Sequence, residues 1–323
     1  MRRVSILALL FFTAAAAHAP KKFDDVLHDY VIGFLRRNPV VNTYLGGAGL
    51  DPSLREADGR LRDHSARALK AEDEWLRGLE KSLASFTDAS LTPQQRIDRD
   101  VALAQIRFQL HLHTVRKYQE RSVDTYTDEP FRAIDFQLQG LASPSEWELV
   151  KKRLEDVPRY LATAEEQLRA GIADKNTADF RMLYRNGIVT SEENAKYFES
   201  TLPQQHPEVR DASLKAAAAF RHFRDFVAKT FFDDQNREES IKSQFAGDRF
   251  ILGEAEYEWA LKNNLRVNKT AAQLYDASWI AIDKTRMEMV QLARRIGRER
   301  GWEPQTIAAS TVRTAFEQLG VDI

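Results

Sequence analysis

Apolar residues recur along this chain with the period of an α-helix, in one segment after another. Phe23, Val26, Leu27, Tyr30, Val31, Phe34 and Leu35 follow the i, i+3, i+4, i+7 spacing of a single helix face. Asn38 and Pro39 then end that helix and open a short second one, which Gly46 and Gly47 close at Leu45. Asp51 and Pro52 repeat the cap-and-proline start. Between His64 and Phe86, Leu69, Leu76 and Leu83 stand seven residues apart, with Leu79 and Phe86 at the alternate seam position. Thr92 and Pro93 open the next helix, whose predicted stripe is Ile97, Val101, Ala104, Phe108, Leu112 and Val115. A turn over 87–91 lets these two helices bury their stripes against each other.

The pattern weakens between Arg121 and Leu141, where Tyr126, Asp128, Glu129 and Pro130 read as an exposed loop before a short segment over 131–138. Ser143, Pro144 and Glu146 form a capping box ahead of Trp147, Val150 and Leu154. Pro158 interrupts that face and predicts a separate helix bearing Tyr160, Leu161, Ala164, Leu168 and Ile172. Residues 173–189 show no period. Thr190 and Glu193 open another helix that Pro203 stops; a small-residue helix follows over 207–232, and 233–247 reads as a polar surface loop. Gly247 to Gly301 predicts two helices. Ile251, Tyr257 and Leu261 mark the first; Thr270 and Gln273 cap the second, in which Tyr275, Ile282, Met289 and Ile296 recur every seven residues. Such a seam requires cover from other helices. Pro304 starts a last helix with Ile307, Phe316 and Leu319. No alternating β-branched run is bounded by hairpin turns, so the predicted fold class is all-α, a large multi-helix bundle or array.

The N-terminus breaks this pattern. Arg2 and Arg3 precede an apolar run over 4–12 and small residues over 14–19, the layout of a signal peptide over 1–17 cleaved after Ala17. The run is short of the roughly 20 residues a membrane span needs. Residues 20–323 are then expected to form a single helical domain, periplasmic or secreted, with no membrane association after cleavage. With no cysteine in the chain, disulfides, thiolate metal sites and lipid attachment to a cysteine are excluded. The formal charge is −1 and becomes −3 when Arg2 and Arg3 leave; acids and bases are interleaved, which argues against a nucleic-acid partner.

Candidate chemistry is sparse. No histidine is followed by glutamate, so the helical zinc motif His-Glu-x-x-His is missing. His111 and His113 are the one close histidine pair, and residues two apart on a helix face apart, so a polar helix face is the favoured reading. His28, His64, His206 and His222 read as isolated surface or edge residues. Glu254, Glu256 and Glu258 crowd a helix start, where acids complement the helix dipole. Gly46, Gly47 and Gly49 lack the preceding strand and following Lys-Ser of a phosphate loop. No serine-hydrolase elbow is present. The residues alone therefore assign no catalytic, cofactor or metal position.

Motif order adds a resemblance. Phe34, Leu35, Arg36, Arg37, Asn38 and Pro39, then Thr43, Tyr44, Leu45 and Gly46, then Asp51, Leu54, Asp63, His64 and Ser65 resemble the opening of bacterial proteins carrying the domain of unknown function 885. Leu252, Gly253, Tyr257, Leu261, Thr270 and the helix ending near Ile296 and Gly297 resemble that family's middle section. The resemblance implies a larger helical fold similar to gluzincin-type zinc metallopeptidases, of which this chain is the N-terminal, cleft-forming half. The family's presumed zinc segment, His-Glu followed by Pro-Gly-His, is not found in this sequence, so no zinc ligand or general base is carried onto any residue. Zinc is expected only for a full-length member, and the implied partners are a peptide substrate or the remaining C-terminal half. The competing expectation is a non-catalytic helical binding or scaffold protein of the cell envelope.

Overall fold

In the computed structural model, which describes residues 22–139, 144–303 and 313, every regular element among the described residues is helical. The sole β pairing described is an isolated bridge between Phe232 and Ile241. The chain divides into two compact units, Met1–Arg249 and Phe250–Ile323. The predicted signal peptide over 1–17 and the helix after Pro304 lie outside the described residues, as does Ser143 of the predicted capping box.

The first unit opens as the apolar spacing predicts. Helix α1 (Phe23–Arg37) ends at Asn38, α2 (Pro39–Leu45) begins with proline, and Gly46 terminates it in the left-handed conformation at φ 65°. Asp51 caps a 3₁₀ stretch, Pro52–Gly59, by accepting from Ser53 N at 2.8 Å. Helices α3 (Ala66–Ala84) and α4 (Pro93–Thr114) are capped by Ser65 and by a Thr92–Gln95 capping box. They pack together and, with α1, enclose a small core of Phe23, Val26, Leu76, Leu79, Leu83 and Ile106.

The buried face of α4 follows the predicted stripe only in part: Ala104 is buried and Phe108 and Leu112 are half-buried. Ile97, Val101 and Val115 are exposed, while Ala102, Leu103, Ile106 and His113 are buried. Two apolar arcs compete on this helix, and α3 covers the one that also carries the smaller alanines.

The main core is built by α5 (Val123–Gln139), α6 (Pro144–Ala173), a helical rod α7 over residues 180–205, and α8 (Arg210–Phe231). Helix α8 lies along both α6 and α7, and α5 packs on α6 and α7. The exposed loop expected at Tyr126 to Pro130 is instead the middle of α5, with Tyr126, Thr127 and Pro130 buried. Pro130 withholds the amide that would bond the Tyr126 carbonyl. One residue on, the Asn194 side chain donates to the Thr127 carbonyl at 2.8 Å and ties α7 to α5.

Pro158 does not break α6 either. Val150, Leu154, Val157, Leu161, Ala164 and Leu168 continue one face through it, and Pro158 itself is exposed. Burial of that uninterrupted stripe outweighs the lost hydrogen bond. The segment without a period resolves into α7, where π-helical turns at Leu183–Thr190 and Tyr197–Thr201 flank an α-helical stretch, Ser191–Lys196. An i→i+5 ladder has no 3.6-residue stripe to read. Thr190 therefore lies inside a helix rather than at its start.

Gly171 marks the tightest backbone approach on α6. A Cβ there would lie 2.4 Å from the Glu120 carbonyl oxygen and 2.9 Å from that of Asn176. Gly171→Ala is expected to cost about 2–3 kcal/mol from overpacking against backbone that cannot rotate away, overriding the ~1 kcal/mol helix preference for alanine. Urea unfolding at equal m-value checks this, and a stabilised variant would contradict the close approach.

In the second unit, α9 (Glu254–Asn263) pairs with α10 (Ala271–Glu299). The predicted Thr270–Gln273 capping box is present, and Glu258 accepts from Ala271 N at 2.6 Å to close the hairpin. The acid-rich start of α9 is thus partly used for structure. The seven-residue seam of α10 is not covered among the described residues: Tyr275, Ile282 and Met289 are exposed, with Trp279 and Ile280 beside them.

Candidate functional site

An open cleft of about 370 Å³ in the first unit is lined by Asn38, Val40, Val41, Arg62, Asp124, Thr125, Asp128, Glu129 and Arg132. Helix α5 supplies its acids at positions 124, 128 and 129, one helical turn apart or adjacent. The end of α1 and the start of α2 bring Asn38, Val40 and Val41, and the extended segment after Gly59 brings Arg62.

Its floor is charged, buried and held from several sides. Arg62 Nη2 donates to both Glu72 carboxylate oxygens at 3.2 and 3.0 Å, and its Nη1 donates to Asn38 Oδ1. Glu129 accepts from Tyr160 OH at 2.8 Å and from Arg62 N at 3.4 Å, and His64 Nε2 lies 3.5 Å from its Oε2. His64 is enclosed by the rings of Tyr118, Tyr126 and Tyr160, with its carbonyl accepting from Gln167. Beyond Tyr118 the network continues to His113, which stacks on that ring and meets Asp73 Oδ1 at 2.7 Å through Nδ1. Arg62 Nε, buried with the rest of the side chain, has no hydrogen-bond partner.

The electrostatics follow from these contacts. Burial pulls the His64 imidazole below its ordinary pKa despite the neighbouring Glu129. Burial opposes ionisation of Glu129, but His64, Tyr160 and Arg62 outweigh it and hold the carboxyl below its usual range. Arg62 is likewise opposed by burial and held charged by Tyr118, Glu72 and Glu129. Burial raises the phenols of Tyr118, Tyr126 and Tyr160. At neutral pH the floor thus presents an ionised Glu129 and Arg62 around a neutral His64. Its Nε2 carries the proton toward Glu129, and Nδ1 faces the Tyr118 hydroxyl at 3.5 Å.

Two histidines therefore differ from the surface reading. His64 and His113 are both buried and each meets a carboxylate. His64 precedes α3 in a segment with no periodicity, and its partners Glu129 and Tyr160 are distant in sequence, so spacing gave no signal. His206 lies against the Trp147 ring and His222 is exposed beside Glu165. Among the described residues no three histidine, aspartate or glutamate side chains gather as a metal site. Zinc, which the resemblance implies for full-length relatives, accordingly finds no fitting donor set here.

These features define a helical protein, among the described residues, with an open cleft over a hydrogen-bonded, charged floor. The chain belongs to the bacterial family of proteins of unknown function designated DUF885, which matches residues 39–322. A solved structure from Shewanella oneidensis, described as "a putative lipoprotein of unknown function", is similar with a TM-score of 0.64 and 16% identity. The match covers 93% of this chain and 52% of that one, so the chain spans about half the length of this neighbour. At that identity the likeness shows the fold. No curated protein matches the chain significantly.

Proposed function

We propose that this chain is the cleft-forming part of a cell-envelope protein related to zinc metallopeptidases, with the zinc-binding segment lying outside the described residues. The observation that carries the reading is the open cleft over a rigid, charged floor: such a wall orients a polar substrate without itself supplying a metal or nucleophile. The family resemblance supplies the peptidase relation. The longer neighbour supports a larger whole, and its lipoprotein description supports the envelope, reached through the signal peptide over 1–17. The exposed seam of α10 is then the face on which the remaining half packs.

Sequencing beyond the Ile323 codon, in all frames, tests this. A segment with His-Glu and Pro-Gly-His is expected there. A chain including it should bind one zinc and cleave peptides, whereas residues 18–323 alone should carry no stoichiometric zinc by elemental analysis. Lack of the segment, or one zinc bound by residues 18–323, overturns the reading in favour of a non-catalytic envelope binding protein or an unrecognised metal site respectively.

A further inference from the structure

The second unit has no apolar core of its own among the described residues. Of the hydrophobic side chains described past Arg249, only Leu261 and Ala293 are buried, and none belongs to the clusters that hold the first unit together. Helix α9 has 10 residues and α10 has 29, so the hairpin pairs only part of the longer helix. Every residue over 278–289 is exposed, which leaves about three turns of α10 open on all sides.

Those turns do not carry the surface of a solvated helix. Ile282 and Met289 continue the seam, with Trp279 beside them. Ile280 and Met287 form a second column, 75% and 61% exposed. Each stands two positions before a seam residue, and two residues on a helix lie about 160° apart round its axis. The same helix therefore carries large apolar side chains on opposite sides. Lys284 and Glu288, paired at 3.9 Å, occupy the strip between the two columns. A helix that is apolar on more than one side belongs inside a core, and helices owe most of their stability to such packing.

The two sides decide which partner fits. A second copy pairing through the α10 seam would leave Ile280 and Met287 in water, because a helix pair covers one stripe. Cover on both sides takes several elements of a larger body. The Shewanella oneidensis neighbour has the length for one: 93% of this chain matches only 52% of that chain.

We infer that α10 is the central helix of a second core, enclosed on opposite sides by apolar helices from the remaining half of a longer chain. This rests on the longer-chain reading above and specifies its partner surface: the remaining half wraps α10 instead of lying on one face of it. Neither zinc nor cleavage is involved, so the two are measured apart.

The chain has no cysteine, so Ile280→Cys, Ile282→Cys, Met287→Cys and Met289→Cys, made singly, each report on one position. Labelling by a maleimide is timed in residues 18–323 and in a chain continued through the sequence that follows Ile323. In residues 18–323 all four thiols should react at close to the rate of a free thiol. In the longer chain all four should slow at least about 100-fold, as buried sites that open rarely do. Thermal melts matching the parent establish that the variants fold. Fast labelling at positions 280 and 287 beside slow labelling at 282 and 289, in a folded longer chain, would show a one-sided wall and overturn the inference. Slow labelling in monomeric residues 18–323 would overturn it by making the cover part of this chain, and slowing that sets in only as that chain dimerises would overturn it in favour of a second copy. A longer chain that buries all four positions and binds no zinc keeps the inference and removes the peptidase relation alone.

Discussion

Replacing Arg153 with methionine will destabilise the protein by about 4 kcal/mol, the range expected when one partner is taken from a buried charged network. Arg153 is fully buried, with 0% exposure. Its guanidinium donates to the carbonyls of Arg60 and Ala133 at 2.9 Å each, to Thr43 Oγ1 at 3.0 Å and to the Ala57 carbonyl at 3.3 Å. One side chain on α6 thereby ties together α2, the end of the 3₁₀ stretch and α5. Burial lowers its pKa to about 10, partly opposed by Asp58, so it remains charged at neutral pH. Methionine fills comparable space but removes the guanidinium donors to the Arg60 and Ala133 carbonyls and to Thr43, and the cation 4.0 Å from Asp58. Arg153→Lys keeps the charge without the planar fork and should lose roughly half as much. Urea midpoints measure both; a methionine variant within 1 kcal/mol of the parent, roughly the worth of one ordinary hydrogen bond, would show that the carbonyls find other donors.

Glu129→Ala should cost about 3 kcal/mol, because it removes the acceptor facing Tyr160 and His64 and the negative charge near Arg62. Glu129→Gln retains the shape and should cost about half that. The same cluster sets a pH dependence. The His64 pKa is lower in the folded protein than its unfolded value near 6.5, so the unfolded chain takes up the proton first as pH falls. Its contribution is complete above about pH 6.5 and declines below it. Glu129 acts in the same direction at lower pH: its folded pKa also lies below the unfolded value near 4.3, and its contribution is lost as the carboxyl protonates. The part of the stability carried by His64 and Glu129 should therefore decline as pH drops from 7.5 to 4, while Asp128 and Glu165, whose carboxyls burial raises, act in the opposite sense. His64→Phe, which fits among the surrounding tyrosines and cannot titrate, should flatten the upper part of that fall. An unchanged slope in the folded His64→Phe protein would remove His64 from the account.

Most helices were legible because their apolar positions and caps agree: Asn38 with Pro39, Thr92 with Pro93, and Thr270 with Gln273 each mark a boundary that the structure keeps. The misreadings at Pro130 and Pro158 share one cause. A proline removes one hydrogen bond, whereas the stripes containing Tyr126 and Ile134, or Leu154 and Leu161, bury whole side chains. Local punctuation loses to tertiary packing at both places. The cleft floor was illegible for a different reason. Glu129 meets His64 across 65 positions and Tyr160 across 31. Neither separation has a helical period, and His64 carries no motif that distinguishes a buried imidazole from a surface one. On α10 the seam was legible, but what covers it was not, since an apolar period states that a partner is needed without naming it.

The π-helical turns of α7 bear on how this family can vary in length. An i→i+5 turn holds one more residue than the α-helical turn it replaces while the helix on either side keeps its axis. The stretches at Leu183–Thr190 and Tyr197–Thr201 are therefore places where a residue can be gained or lost within a buried helix and the flanking contacts survive. Deletion of one residue there would close the π turn to an α turn, keeping the Ser191–Lys196 face in register and removing one side chain from the turn itself. Relatives that differ by single residues in this rod would then share a fold and present different side chains along it, so that change in helix length becomes a means of altering what the protein recognises.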